Sequence, residues 1–252
     1  MQPLKKPVQP GASVAVHVDR SDAGSYSAVP NYAACGVFAT ACFVRIMTAE
    51  IFSPLLEPLT AGWLRERFRL AAGCAAVQEG GWDQPLRPAA VLVPVIDRAE
   101  GLSVLLTRRS DHLHHHPGQI SFPGGRVEKT DVSPVMTALR ETEEEIGLSS
   151  DRVELLGELA DYCTGTGFRV TPVVGLVHPP FALSLDDFEV AEVFEVPLAF
   201  VLDPSNRQRH RTLYQGQMRE YYAIPYGKYF IWGATAGILV QMSRYLGLCS
   251  RL

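Results

Sequence analysis

The sequence predicts an α/β domain, a sandwich built around a mixed sheet. Three observations lead there. Apolar runs of strand length at 89–96, 102–107, 153–161 and 170–178 alternate with polar turns. One segment of helical period, 134–146, lies in the middle of that series, and a second, 234–246, closes it. No internal repeat or low-complexity tract points to another architecture.

A chain of 252 residues has room for one domain of good size with appendages. Hydrophobic content of 47% and charged content of 20% fit a soluble globular protein. The net charge of −4 argues against nucleic acid as a partner, because nucleic-acid binding favours basic domains. It leaves room for a small anionic ligand held by a local basic pocket and a metal. The cysteines Cys35, Cys42, Cys74, Cys163 and Cys249 are odd in number and form no C-x-x-C pair. Free thiols in a reducing compartment are the simplest account.

Residues 1–46 differ from the rest. Pro, Ser, Ala and Gly dominate the first thirty, and no period emerges. The apolar run 33–44 is shorter than the roughly 20 residues a membrane helix needs, so no membrane partner is expected. The expectation is a poorly ordered extension, with Met47 as a candidate working start. Residues 47–87 read as an amphipathic helix and a linker. Leu55, Leu56, Leu59, Trp63, Leu64 and Phe68 give the apolar face, with a break near Pro58.

The domain proper is expected over 88–246, followed by a tail, 247–252. Its first two strands are 89–96 and 102–107, although Pro94 removes one ladder donor. The next segment carries Arg108, Arg109, His112, His114, His115 and His116. Adjacent histidines point different ways, and no cysteine or second histidine pair completes a tetrahedral zinc set. The segment reads as a substrate-recognition loop, since it leads into Gly118-Gln119-Ile120-Ser121-Phe122-Pro123-Gly124-Gly125. Arg109 suits phosphate, being always charged and fork-shaped. Gly124 and Gly125 let the backbone approach a ligand closely.

The central helix has a cap in Ser133, Pro134 at its first position and a stop in Gly147. Val135, Leu139, Thr142 and Ile146 are expected inward. Glu141, Glu144 and Glu145 stand at i, i+3 and i+4 and share a face expected to be solvated. Acidity alone decides little, as like charges at this spacing cost only about 0.2–0.5 kcal/mol per pair. Three carboxylates together also make a hard-oxygen site suited to Mg²⁺ or Mn²⁺ and phosphate. Arg140 can hold one of them by a two-pronged hydrogen bond. Glu143 points elsewhere.

After the strands at 153–161 and 170–178, whose link Thr164-Gly165-Thr166-Gly167 reads as a plain turn, residues 186–202 suggest a short helix and strand carrying Glu189, Glu192 and Glu195. A strand pair follows at 219–224 and 228–232. Tyr221, Tyr222 and Trp232 within it are expected in the core rather than stacked on a base. The terminal Ser250-Arg251-Leu252 is close to a peroxisomal address. A cytoplasmic location is expected, with the peroxisome the alternative in a eukaryote.

Gly125, Asp131 and the run Arg140-Glu141-Thr142-Glu143-Glu144-Glu145-Ile146-Gly147-Leu148 together resemble the Nudix hydrolase signature. Gly125 stands one residue further from Arg140 than in the general pattern, and Asp131 stands where Glu is usual. Both departures look like the coenzyme A pyrophosphatase branch. Leu105-Leu106-Thr107, Arg109-Ser110 and Phe122-Pro123-Gly124-Gly125 match that branch, while His114 stands where it carries Arg. The resemblance implies a Nudix-type α/β/α sandwich. It implies Mg²⁺ or Mn²⁺ held by Glu141, Glu145, Glu144 and the Gly125 carbonyl, with Arg140 among the catalytic residues. It implies substrate contacts from Arg109, Ser110 and Gly124, and an extra acid in Glu189 or Glu192. The implied reaction is hydrolysis of coenzyme A to 4′-phosphopantetheine and adenosine 3′,5′-bisphosphate. ADP-ribose, NADH or another nucleoside diphosphate derivative is the alternative substrate. A non-catalytic nucleotide-binding module is the alternative of another class. The oligomeric state stays open, a homodimer included.

Overall fold

The computed structural model describes residues 59–71, 85–113, 116–214 and 217–248. Expectations for residues 1–46, Met47, His114, His115, four of the five cysteines and the terminal Ser250-Arg251-Leu252 lie outside them.

The order begins with helix α1 (Ala61–Ala71), the antiparallel pair β1 (Arg87–Arg98) and β2 (Gly101–Arg109), and the short strands β3 (Ile120–Ser121) and β4 (Gly124–Arg126). Helix α2 (Pro134–Ile146) follows, then β5 (Val153–Glu158), β6 (Tyr162–Cys163), β7 (Phe168–Val177) and β8 (Val190–Pro197). These eight strands form one sheet around β1, which runs parallel to β7 and antiparallel to β2 and β4. Strand β8 pairs with β2, and β5 and β6 pair with β7. After α3 (Leu198–Leu202), a meander of β9 (Gln208–Tyr214), β10 (Gln217–Tyr226) and β11 (Tyr229–Trp232) makes a second sheet, and α4 (Ala234–Tyr245) ends the domain.

Both faces of the main sheet are apolar, which is why β1 reads as an unbroken hydrophobic run. Ala90, Leu92 and Ile96 face α2, together with Leu105, Val173 and Val177. Ala89, Val93 and Val95 face the other way, onto Leu64 and Phe68 of α1, Leu198 and Leu202 of α3, and Leu239 and Met242 of α4. The result is the expected sandwich, with helices on both faces of a mixed sheet. Pro94 fits because of register. Strand β4 pairs with β1 through Val91, and β2 pairs from Val95 onward. The Leu92 N–H points to that side, donating to the Pro123 carbonyl at 2.9 Å, so the same-parity Pro94 falls in a gap of the ladder.

One buried acid lies far from the glutamates of α2. Glu195 of β8 accepts both prongs of Arg98 and the Ser103 hydroxyl, tying together β8, β1 and β2. Its side chain is 4% exposed and that of Arg98 29%. A buried pair contributes little net energy, but removing one partner leaves the other unpaired. Glu195→Ala is therefore expected to lower the unfolding free energy in urea by about 3 kcal/mol, with Glu195→Gln costing less because it keeps an acceptor.

Candidate functional site

The site begins with a steric fact about two glycines. Gly124 has φ +149°, and a Cβ there would stand 2.4 Å from the Ala90 carbonyl oxygen. A Cβ on Gly125 would stand 2.4 Å from Cδ of Glu141. Only glycine lets α2 lie this close to β4. The helix is fixed at both ends as its sequence indicates. The Ser133 hydroxyl accepts the Met136 N–H at 3.2 Å, and Gly147, at φ +68°, donates to the Glu143 carbonyl at 2.9 Å.

The loop between β4 and α2 is pinned by Asp131. Its carboxylate accepts the Glu128 N–H at 2.8 Å and the Thr137 hydroxyl at 2.9 Å. It also accepts a two-pronged contact from Arg140, Nε at 3.2 Å and Nη2 at 3.0 Å. Arg140 and the Glu128 N–H hold this carboxyl well below the usual range, and Asp131 in turn raises the Arg140 guanidinium. The two-pronged partner of Arg140 is thus Asp131. Single contacts run from Arg140 to Glu144 at 2.9 Å, to Glu141 at 3.0 Å and to the Arg126 carbonyl at 3.3 Å.

The three glutamates do not share one solvated face. Glu144 is exposed, Glu141 half-buried, and Glu145 only 5% exposed. Glu141 lies in the space that a side chain at 125 would otherwise fill, and Glu145 lies against the backbone of Gly124. Its Oε2 accepts the Gly124 N–H at 3.3 Å, and Oε1 is 3.9 Å from Arg109 Nη1. Burial pushes the Glu145 carboxyl up to about 8, opposed by Arg109 and the Gly124 N–H and reinforced by Glu189 and Glu141. Burial also raises Glu141, against the pull of Arg140. On the inward face Thr142 and Ile146 are buried as expected, joined by Thr137 and Ala138, while Val135 and Leu139 are half-buried.

Of the two extra acids, Glu189 belongs with this group. Its charge reaches both Glu141 and Glu145. The turn that carries it is held by the Ser110 N–H on the Glu189 carbonyl at 2.9 Å and by the Ser110 hydroxyl on the Asp187 carbonyl at 3.3 Å. Glu192 turns elsewhere, accepting Lys228 at 2.9 Å and the Tyr229 hydroxyl at 2.6 Å. Arg108 pairs with Asp111 at 2.7 Å, and the His112 ring packs 4.8 Å from that of Phe188.

The aromatic residues of the second sheet divide. Tyr222 packs against the core, but Trp232 is 40% exposed and meets Tyr221 on the outer face at 5.6 Å. They separate because neighbours on a strand face opposite ways, and Trp232 pairs with Ala223, not with Tyr222. Residues 164–167 form the hairpin link between β6 and β7, as the turn reading requires.

The donor chemistry fits a hard divalent ion: buried and half-buried carboxylates beside a glycine backbone, with too few cations to balance them. Among the described residues, no three His, Cys, Asp or Glu side chains already stand together as a metal-holding group. Arg140 and Arg109 are the cations nearest the acids instead.

The NUDIX domain family matches residues 85–216, from the start of β1 past the end of β9. The protein named "Uncharacterized Nudix hydrolase NudL" of Escherichia coli O7:K1 is 41% identical over 162 residues, covering 64% of this chain and 84% of that one. Its counterpart in strain K12 is 40% identical over the same length. Among solved structures, a MutT/nudix family protein from Enterococcus faecalis overlaps 72% of this chain and 74% of its own, with TM-score 0.41 and 19% identity. The Nudix domain of Shewanella oneidensis NrtR, solved with ADP-ribose, overlaps 50% of this chain and 81% of its own, with TM-score 0.37 and 24% identity. Because the domain match takes in the glycine strand and the glutamate helix together, and the NudL relatives are covered over most of their length, the chain belongs to the Nudix family of hydrolases, which act on pyrophosphate bonds and use divalent metal ions.

Proposed function

We propose that this protein hydrolyses the diphosphate of coenzyme A, with Mg²⁺ or Mn²⁺, to 4′-phosphopantetheine and adenosine 3′,5′-bisphosphate. The observation that carries the pyrophosphatase reading is the burial of Glu145 against Gly124, with Glu141 and Glu189 close enough to resist its ionisation. An ion site is the economical reason to set a buried acid within the field of two others. The choice of coenzyme A rests on the Leu105-Leu106-Thr107, Arg109-Ser110 and Phe122-Pro123-Gly124-Gly125 stretches. The ligand is a small nucleotide, not a nucleic acid.

Glu141, Glu145 and the Gly125 carbonyl are proposed to hold the ion, with Glu144 a further ligand or a water positioner. The ion supplies counter-charge for the diphosphate and acidifies water. The chain's own work is positioning. Arg140 keeps Glu141 and Glu144 at fixed stations while anchored on Asp131. Arg109, already in the pocket beside Glu145, is placed to release it and grip a phosphate oxygen. The Gly124 N–H can donate to the same group. Ser110 acts through the Asp187 carbonyl, steadying the turn that brings in Glu189, rather than by touching substrate. Glu189 is the proposed extra acid, its charge felt at both Glu141 and Glu145. Glu192, bound to Lys228 and Tyr229, takes no part. A reducing cytoplasm is the proposed compartment, where Cys163 stays the free thiol it is here. Among the described residues, no helix is long and apolar enough to cross a membrane.

Glu145→Gln is expected to lower kcat by at least ~100-fold in a phosphate-release assay, in line with the loss of a general base or metal ligand. In chelator-treated protein the same change is expected to stabilise. The folded carboxyl titrates near 8 and the unfolded one near 4.5, so between these values the folded state holds the extra proton and its stability falls as pH rises. The gain in melting temperature for Glu145→Gln should be absent at pH 4, grow through the window and reach its full size above pH 8. A variant less stable than the parent at pH 8.5 would contradict the burial argument.

A panel of coenzyme A, ADP-ribose and NADH tests the substrate. Coenzyme A should give the highest kcat/KM, with both products seen by chromatography. Faster cleavage of ADP-ribose would overturn the assignment. Calorimetric binding of coenzyme A without turnover of any member would mean a binding module.

A further inference from the structure

Next to the glycine strand lies a group that the catalytic reading does not use. The guanidinium carbon of Arg87 stands 4.0 Å from the ring centroid of Phe168, and that of Arg126 stands 5.4 Å from the same centroid. Both arginines are exposed. Register explains the meeting. Arg87 is the cross-strand partner of Phe168, and Arg126 that of Ala89, so the three side chains share the sheet face opposite α2. The hairpin link fixes them further: Arg87 donates its N–H to the Gly167 carbonyl at 3.0 Å and Nη2 to the Thr166 carbonyl at 3.1 Å, while the Phe168 N–H donates to Thr164 Oγ1 at 3.0 Å.

Charge makes the group unusual. Several other exposed arginines meet acids: Arg65 with Glu154, Arg69 with Glu66, Arg211 with Glu220. Among the described residues neither Arg87 nor Arg126 has a carboxylate partner. Two like charges are thus gathered on one ring with no carboxylate among the described residues paired to them, in a chain of net charge −4. The ring offsets part of the repulsion through its electron-rich face. The remaining imbalance suits a dianion, and guanidinium forks match phosphate.

Position ties the group to the reaction. Among the described residues β4 pairs only with β1, so its other edge is free of a strand. Gly125 faces Glu141 and the next residue, Arg126, faces the ring. A substrate crossing that edge meets the diphosphate pocket at Gly125 and the guanidinium one residue on, an advance of about 3.3 Å along the strand. We infer that Arg87, Arg126 and Phe168 form a subsite for a phosphate monoester, which selects nucleotides carrying such a group in addition to the diphosphate. This rests on the pyrophosphatase reading and adds the residues that discriminate within it.

The test compares coenzyme A with its 3′-dephospho form in the full chain with Mg²⁺, for the parent, Arg87→Ala and Arg126→Ala. In the parent the dephospho form should show a KM about 10- to 100-fold higher, as loss of a charge-assisted contact predicts. In each variant that ratio should collapse toward one, with kcat affected less than KM. A ratio that survives in both variants overturns the subsite. Inorganic phosphate is the second arm: inhibition lost in the variants while the substrate ratio persists would mean a free anion is bound and would overturn the substrate role. If the parent cleaves neither substrate, the coenzyme A reading has failed separately. Calorimetry then compares adenosine 3′,5′-bisphosphate with adenosine 5′-monophosphate. A preference for the bisphosphate that vanishes in Arg87→Ala supports the subsite, and equal binding overturns it.

Discussion

The close approach of α2 to β4 is the constraint on which the rest depends. Glu141 occupies the place where any residue but glycine at 125 would put its Cβ, and Gly124 is equally tight against the β1 backbone. Push the helix out by one methyl group and Glu145 rises into water, loses the Gly124 N–H and becomes an ordinary surface acid. The glycines therefore act less as flexible links than as missing volume. That volume lets the acidic edge of the helix close onto β4, and the apolar contacts of Ala138 and Ile146 with Ala90 and Leu92 keep it in place.

Once the acids are brought in, charge has to be managed. A buried carboxylate disfavours its own ionisation, and Glu189 and Glu141 add to this at Glu145. Arg140 and Arg109 relieve part of the load, but they differ in kind. Arg140 is locked on Asp131 by two prongs and leaves the pocket geometry fixed. Arg109 reaches Glu145 only at 3.9 Å, a loose contact that a stronger cation can replace. This division suits chemistry that takes up divalent ions: one arginine maintains the frame, and the other gives way. It also explains why Asp131 serves here, since it is tied by the Glu128 N–H and Thr137 as well as by Arg140, so the shorter side chain reaches all three.

Much of this was legible in the sequence, and the failures have physical causes. Strands β1, β2, β5 and β7, helix α2 with its caps, and α4 follow from period and punctuation. Strand β9, Gln208–Tyr214, is not legible in the sequence because Arg209, His210 and Arg211 hide any alternation, and its pairing with β10 supplies the order that local sequence lacks. The acidic face of α2 reads as solvated in sequence because helical spacing locates a side chain around the axis but says nothing of what lies across from it. Two residues in β4 decide that, and their effect is tertiary. Glu189 and Glu192 look equivalent in sequence. Only the turn at Ser110 and the hydroxyl of Tyr229 separate them.

The same strand geometry that makes the pocket also limits what it can read. Side chains alternate along β4, so the strand can present bare backbone to the helix at 125 only by presenting Arg126 to the other side. A substrate confined to the helix side would feel the acids and little else to tell one nucleotide from another. One long enough to cross the edge of β4 that carries no strand would, on the proposed reading, be read twice, first by its diphosphate and then by whatever it carries beyond. On that reading, selectivity among diphosphates would fall to the face opposite α2, where Phe168 and its arginines are held by a hairpin link rather than by the glutamate helix. Recognition and reaction then share one strand but few side chains, and a change in the first need not disturb the second.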